Sequence, residues 1–339
     1  MSNKKKKSFP GRFLGALLTV VFVLLAVFGV LMYLIPATET VDKTPVSGSA
    51  DWMKDVDDGL YLSEVVLPGT HDSGSKNAQL AFFSKCQALT VGEQLEAGFR
   101  YLDIRLAVDG QGMKLMHGFT DCTDGEWPWS GKLTLENVLS QCYDFLKAHP
   151  TETVVFAVKK EHGDETEAYF AKLFEDIILE NEDAWFLSGW VPKVGEVRGK
   201  LVLVRRYGPA LGQGGTMLGL PLIWDDQGGR DDVSLHISSH TIANGTLWVQ
   251  DRYKYDTDEK WAAFLNGLRE GRTDLDDGGN LSIHFLSTNG SPKFGHPYKY
   301  AKALNEKLMS SDAALRGWVI TDFGSPRIAE RIWRRNFAE

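Results

Sequence analysis

The segment Leu67-Pro-Gly-Thr-His-Asp-Ser-Gly places His71 and Asp72 side by side on a glycine-bearing turn after a short apolar run. Imidazole titrates nearest neutrality among side chains, so a positioned histidine can take or give a proton at physiological pH. A second histidine, His117, precedes Gly118, and Asp322 closes an apolar run near the C-terminus. Two histidines and two aspartates can form two His–Asp pairs, each fixing a tautomer and an orientation. Arg105, two residues after Asp103, adds a permanent cation. Further ionisable or aromatic groups recur at the ends of other apolar runs. They are Lys159, Lys160 and Glu161, then Arg205, Arg206 and Tyr207, then Asp251, Arg252 and Tyr253. Any one has an ordinary structural reading as a paired or solvated group; the recurrence is what points to a shared site.

Such groups converge only if the runs that carry them are strands ending at one face. Strands are expected at Val65–Leu67, Tyr101–Val108, Leu115–His117, Thr153–Lys159, Lys200–Arg206, Leu247–Arg252, Leu281–Leu286 and Trp318–Asp322. Several are continuous apolar runs, as strands covered on both faces should be. Between them lie amphipathic stretches. In Thr134–His149, Leu135, Val138, Leu139, Cys142, Phe145 and Leu146 form one stripe, with Thr134 placed to cap it and Pro150 to stop it. Thr166–Leu179, Asp258–Leu268, Tyr298–Met309 and Ile328–Phe337 read likewise. Eight strands with mostly helical connections predict a (β/α) barrel, with a doubly wound open sheet as the alternative. From Gly208 to Gly245 the pattern fails: glycine is frequent and no helix is legible.

The chain of 339 residues carries a net charge of −8, to which Lys4, Lys5, Lys6, Lys7 and Arg12 contribute +5, leaving −13 for the rest. A body that acidic is a poor holder of nucleic acid. From Phe13 to Ile35 there is neither charge nor proline. At about 1.5 Å per residue this stretch crosses a hydrocarbon core of about 30 Å. The basic cluster before it predicts a cytoplasmic N-terminus and an extracytoplasmic body. A cleaved signal peptide is the competing reading, but its apolar region is shorter and ends at a small-residue site that Leu34-Ile-Pro-Ala-Thr-Glu lacks. The expected organisation is a basic segment 1–12, a membrane anchor 13–35, a tether 36–58 and a catalytic barrel 59–339.

With these elements in order, the sequence resembles the X-domain of the bacterial-type phosphatidylinositol-specific phospholipases C. The likeness rests on Pro68-Gly-Thr-His-Asp-Ser-Gly, Gly98-Phe-Arg-Tyr-Leu-Asp-Ile-Arg, His117-Gly and Val158-Lys-Lys-Glu. It continues through Arg198-Gly-Lys-Leu-Val-Leu-Val-Arg-Arg-Tyr, Val249-Gln-Asp-Arg-Tyr-Lys and Gly317-Trp-Val-Ile-Thr-Asp. The resemblance implies a distorted, incompletely closed (β/α) TIM-type barrel, preceded here by one transmembrane helix. It also implies cleavage of phosphatidylinositol, or of glycosyl-phosphatidylinositol anchors, by the inositol 2-hydroxyl, giving diacylglycerol and a 1,2-cyclic phosphate.

The resemblance assigns His71 as general base oriented by Asp322, His117 as general acid with Asp72, and Arg105 as the electrophile at the phosphoryl oxygens. Lys159, Arg206, Asp251 and Tyr253 take the inositol contacts. Phe82, Phe83 and Phe294 fall where the family has an apolar membrane-contacting rim. Relatives that use calcium hold it where Arg105 stands, so no metal or other cofactor is expected; the acidic stretch from Asp274 lacks EF-hand spacing. Cys142 fits a buried helical stripe, while Cys86 and Cys122 leave a bridge open. Two other functions remain at this point: a metal-dependent phosphodiesterase acting on another phospholipid or a glycerophosphodiester, and a catalytically silent inositol-lipid binding protein.

Overall fold

The structure, a computed structural model, describes residues 11–127, 129–208, 218–229, 238–242, 245–271, 273, 280–290 and 295–337. Its strands are β1 (Leu67–Thr70), β2 (Tyr101–Asp109), β3 (Gly112–His117), β4 (Thr120–Asp121), β5 (Val154–Lys160), β6 (Trp185–Phe186), β7 (Leu201–Arg205), β8 (Leu220–Pro221), β9 (Ser238–Ile242), β10 (Gly245–Gln250), β11 (Leu281–Phe285) and β12 (Trp318–Thr321). They form one curled sheet in the order β6-β7-β5-β2-β1-β12-β11-β10-β9. Every neighbouring pair along this path is parallel except β9 with β10. β8 prolongs the β6 edge of β7, and among the described residues nothing pairs that edge to β9. The barrel is therefore incompletely closed, as the resemblance implied. The open seam falls in the glycine-rich stretch whose pattern failed, and no helix is found in its described parts.

Burial explains the sequence pattern. β5 and β7 are buried at nearly every residue, since the sheet separates an inner core from the helices outside. The helices lie where expected: Leu135–Ala148, Glu167–Ile178, Thr257–Glu270, Pro297–Ser310 and Pro326–Trp333. Thr134 and Asn137 close a reciprocal cap on the first, and Asp256 accepts from Asp258 and Glu259 at the start of the third.

Three expectations change. The run Leu115–His117 is not a barrel strand: β3 folds back antiparallel on β2, with Leu106 opposite Leu115. Residues 36–58 are not a free tether. Ser49–Asp55 form a short 3-10 helix at the base of the barrel, where Met53 is fully buried, Trp52 stacks on Trp333, and Trp52 Nε1 donates to Gly98 O. Buried Arg100 fastens this segment, donating to Ser49 O, Ala50 O and the buried Glu152 carboxylate, which also accepts from Met53 N. Finally, the apolar helix does not end at Ile35, the expected limit of the anchor, but runs on through Pro36. Gly11–Gly29 continues through a wider π-helical turn, Val30–Leu34, to Ala37. A proline ring clashes with the carbonyl four residues earlier in α geometry, and the wide turn before it relieves that clash. Phe13–Ala37 is long and apolar enough to cross a membrane, and its side chains project away from the barrel along most of its length.

Candidate active site

β1 ends at Thr70, and the chain turns sharply: Asp72 adopts φ of +44°, an unfavourable left-handed conformation for an aspartate. The turn is held from several sides. Asp72 N donates to Asp103 Oδ2, Ser73 N to Asp103 O, and Gln87 Nε2 to His71 O and Thr321 O. His71 is thereby fixed beside Asp322, which follows the adjacent strand β12; Nδ1 lies 2.7 Å from Asp322 Oδ1. On its other side Nε2 is 2.7 Å from Arg105 Nη2, so Nε2 presents a lone pair and Nδ1 carries the proton.

His117 reaches the same place from the β3–β4 hairpin. Its Nδ1 lies 2.8 Å from Ser84 O and 3.0 Å from Asp72 Oδ2. The two imidazoles stand edge to face with ring centroids 6.2 Å apart, near enough for one phosphate to touch both. Arg105 sits between anions: Nε donates to Asp103 Oδ2 at 3.1 Å and Nη1 to Glu161 Oε1 at 3.2 Å. Asp103 and Glu161 thus brace the guanidinium from two sides. Glu161 also accepts from Lys159 Nζ and from Gly118 N, beside His117.

These neighbours divide the carboxylates. Burial alone would raise the Asp103 carboxyl, but Arg105 and Arg206 outweigh it and hold it well below the usual carboxylate range. Glu161 is held low against the same burial by Arg105 and Lys159. At Asp72 burial wins over the attraction of Arg105 and His71, raising the carboxyl to about 8. Burial and the charge of Arg105 lower His117. The Ser84 carbonyl can only accept, so the His117 Nδ1 proton is turned to it, and Asp72 Oδ2 lies 3.0 Å away without a hydrogen bond of its own.

The expected ring contacts line the other flank of the mouth. Arg206 Nη1 donates to Asp103 Oδ1, and its guanidinium lies 3.7 Å from the ring centroid of Trp224. Trp224 Nε1 donates to Asp251, and Tyr253 OH donates to Asp226 at 2.6 Å. Trp224 and Asp226 were missed because their stretch shows no periodicity; the signal available was an exposed-type Trp-Asp-Asp run inside a crossover. Phe82 is half-buried, stacked on His296 with centroids 4.0 Å apart, whereas Phe83 is exposed. Phe294 and the acidic stretch from Asp274 lie outside the described residues.

Cys86, Cys122 and Cys142 are all buried and unbridged, so the Cys86–Cys122 disulfide left open by the sequence is not formed. Burial pushes each thiol upward, which keeps it protonated. Among the described residues two groups have a donor set close enough for an ion: His71 with Cys86 and Asp322, and Asp72 with Cys86 and His117. Both need the protonated Cys86 thiol, and Arg105 already occupies the lone pair of His71. These two groups do not favour a cation.

An imidazole whose basic nitrogen faces a guanidinium, with a second imidazole and a buried carboxyl opposite it, suits acid–base chemistry on a phosphate ester at the mouth of an open parallel barrel. The comparisons agree. Residues 64–207 match the family model "Phosphatidylinositol-specific phospholipase C, X domain". The 1-phosphatidylinositol phosphodiesterase of Staphylococcus aureus (strain Newman) is 29% identical over 310 residues, covering 85% of this chain and 91% of that one. A relative of the same description from Listeria monocytogenes is 29% identical over 164 residues, 45% of this chain and 47% of that one. A solved structure of the S. aureus phosphatidylinositol-specific phospholipase C superposes with a TM-score of 0.68 at 27% identity, covering 85% of this chain and 97% of that one. In sequence and in fold the chain is thus similar to the bacterial phosphatidylinositol-specific phospholipases C.

Proposed function

We propose that this chain is a membrane-anchored phospholipase C that cleaves phosphatidylinositol, free or as a glycosylated anchor, without a metal. His71 Nε2 takes the proton of the inositol 2-hydroxyl, and Asp322 steadies the imidazolium that forms. The 2-oxygen bonds to phosphorus, the bond to the diacylglycerol oxygen breaks, and the proton of the His117–Asp72 pair passes to that leaving oxygen. Arg105 releases His71 to bond the non-bridging oxygens, where negative charge grows. Lys159, Arg206, Asp251 and Tyr253 hold the ring, with Trp224 as a further wall beside Arg206. The reading rests chiefly on the two His–Asp pairs facing each other across Arg105.

The basic N-terminus and the apolar helix support an anchored body outside the cytoplasm. Mixed micelles of phosphatidylinositol and detergent should yield inositol 1,2-cyclic phosphate, with turnover unchanged in excess chelator. His71→Ala and His117→Ala should each lower turnover at least about a hundredfold. Loss of turnover in chelator, restored by calcium, would refute the metal-free assignment.

A further inference from the structure

The base of the barrel begins at residue 49, so a chain entering there from a membrane anchor would aim the mouth away from that membrane. The stem follows a different course. Residues 36–48 run along the outside of the barrel, with Val41 and Val46 half-buried against it and Lys43 paired to Glu93. At the upper end the anchor's last turns, with Met32 and Pro36 buried, pack on the short helix Ala81–Ser84. That helix belongs to the catalytic mouth: Ser84 O holds His117. The junction is locked by polar contacts. Lys85 Nζ donates to Pro36 O at 2.7 Å and Glu39 O at 2.8 Å, and buried Glu39 pairs with His296 at 2.7 Å. His296 in turn stacks on Phe82.

A second, separate feature marks the same end of the molecule. Trp127 and Trp129, 62% and 77% exposed, stack on one another with centroids 5.3 Å apart. Trp127 and Tyr33 share the walls of one cleft of about 190 Å³ with Pro36 and Lys85. Phe119, 75% exposed, tops the hairpin of His117, and Phe83 is exposed beside Phe82. Exposed tryptophan and tyrosine beside the end of a spanning helix match the composition of a membrane–water boundary.

We infer that the stem clamps the barrel mouth against the membrane its own anchor crosses, with Trp127 and Trp129 at the headgroup level, so that the lipid cleaved lies in that same membrane. The inference rests on the proposed phospholipase activity for its substrate, but not for its geometry. To test it, the full chain is reconstituted into phosphatidylcholine vesicles containing phosphatidylinositol, and separately offered phosphatidylinositol in vesicles lacking the protein. Cleavage within the host vesicle should exceed cleavage across vesicles at least tenfold, roughly the gain expected from confinement. Equal rates overturn the inference while leaving the activity standing.

The orientation is also read without turnover. Brominated lipids in the host vesicle should quench the fluorescence that Trp127→Phe/Trp129→Phe removes; quenching identical in that variant overturns the proposal. Glu39→Ala/Lys85→Ala should lower cleavage in the host vesicle while preserving that of a water-soluble phosphatidylinositol analogue. If the wild type fails on the soluble analogue, the enzymatic reading falls and the quenching alone decides the orientation.

Discussion

Asp72 carries the most informative charge in the site, because its neighbours treat it differently from Asp103. The two backbone-linked aspartates differ in what surrounds them: two guanidinium groups face Asp103, whereas Asp72 is buried against His117. With its carboxyl raised to about 8 by burial, Asp72 keeps its proton below that pH and loses it above. Turnover of a soluble substrate should therefore decline as pH rises through about 8. Asp72→Asn leaves His117 as sole acid, and burial with Arg105 lowers that imidazole. The decline should then move to lower pH, read from a kcat–pH profile; an unmoved profile would remove Asp72 from the proton transfer. Asp103 and Glu161 have the opposite sign. Their depressed groups contribute stability above the ordinary carboxylate range, and that stability is lost as pH falls.

At the scale of elements, the segment 49–55 is held by one buried ion pair. Arg100→Met leaves Glu152 buried and unpaired, and should cost about 3–5 kcal/mol in denaturant unfolding, with part recovered by Arg100→Met/Glu152→Gln. A loss no greater than that of a surface substitution would show that the segment is merely appended. The strands and long helices were legible because burial on both faces, or on one stripe, writes itself into apolar spacing: β5, β7 and Leu135–Ala148 are such cases. The exceptions have a physical source too. An antiparallel hairpin strand such as β3 is as apolar as a barrel strand, so direction cannot be read from composition. Trp52 and Met53 are too few in a polar setting to signal a packed turn, yet they are buried. His71, His117 and Arg105 were legible by type and place, while Trp224, Glu161 and the stem contacts depend on long-range juxtaposition that no local pattern encodes.

Across the whole molecule, the sheet joins its first and last parallel strands, with Leu67 opposite Trp318. His71 and Asp322 are thus neighbours despite 251 positions between them. Contacts this distant in the chain form late and slowly. Deleting residues 318–339 should abolish turnover altogether while membrane insertion persists, measured by product release and carbonate extraction. Residual activity would mean the last strand is dispensable. The wider consequence concerns biosynthesis: with the apolar helix inserted as proposed, a polypeptide still emerging from the ribosome would have its anchor in the bilayer long before its base has a partner. Under the proposed reading the His71–Asp322 pair cannot assemble before β12 has been made, so a nascent chain holds an incomplete site beside the lipids around it.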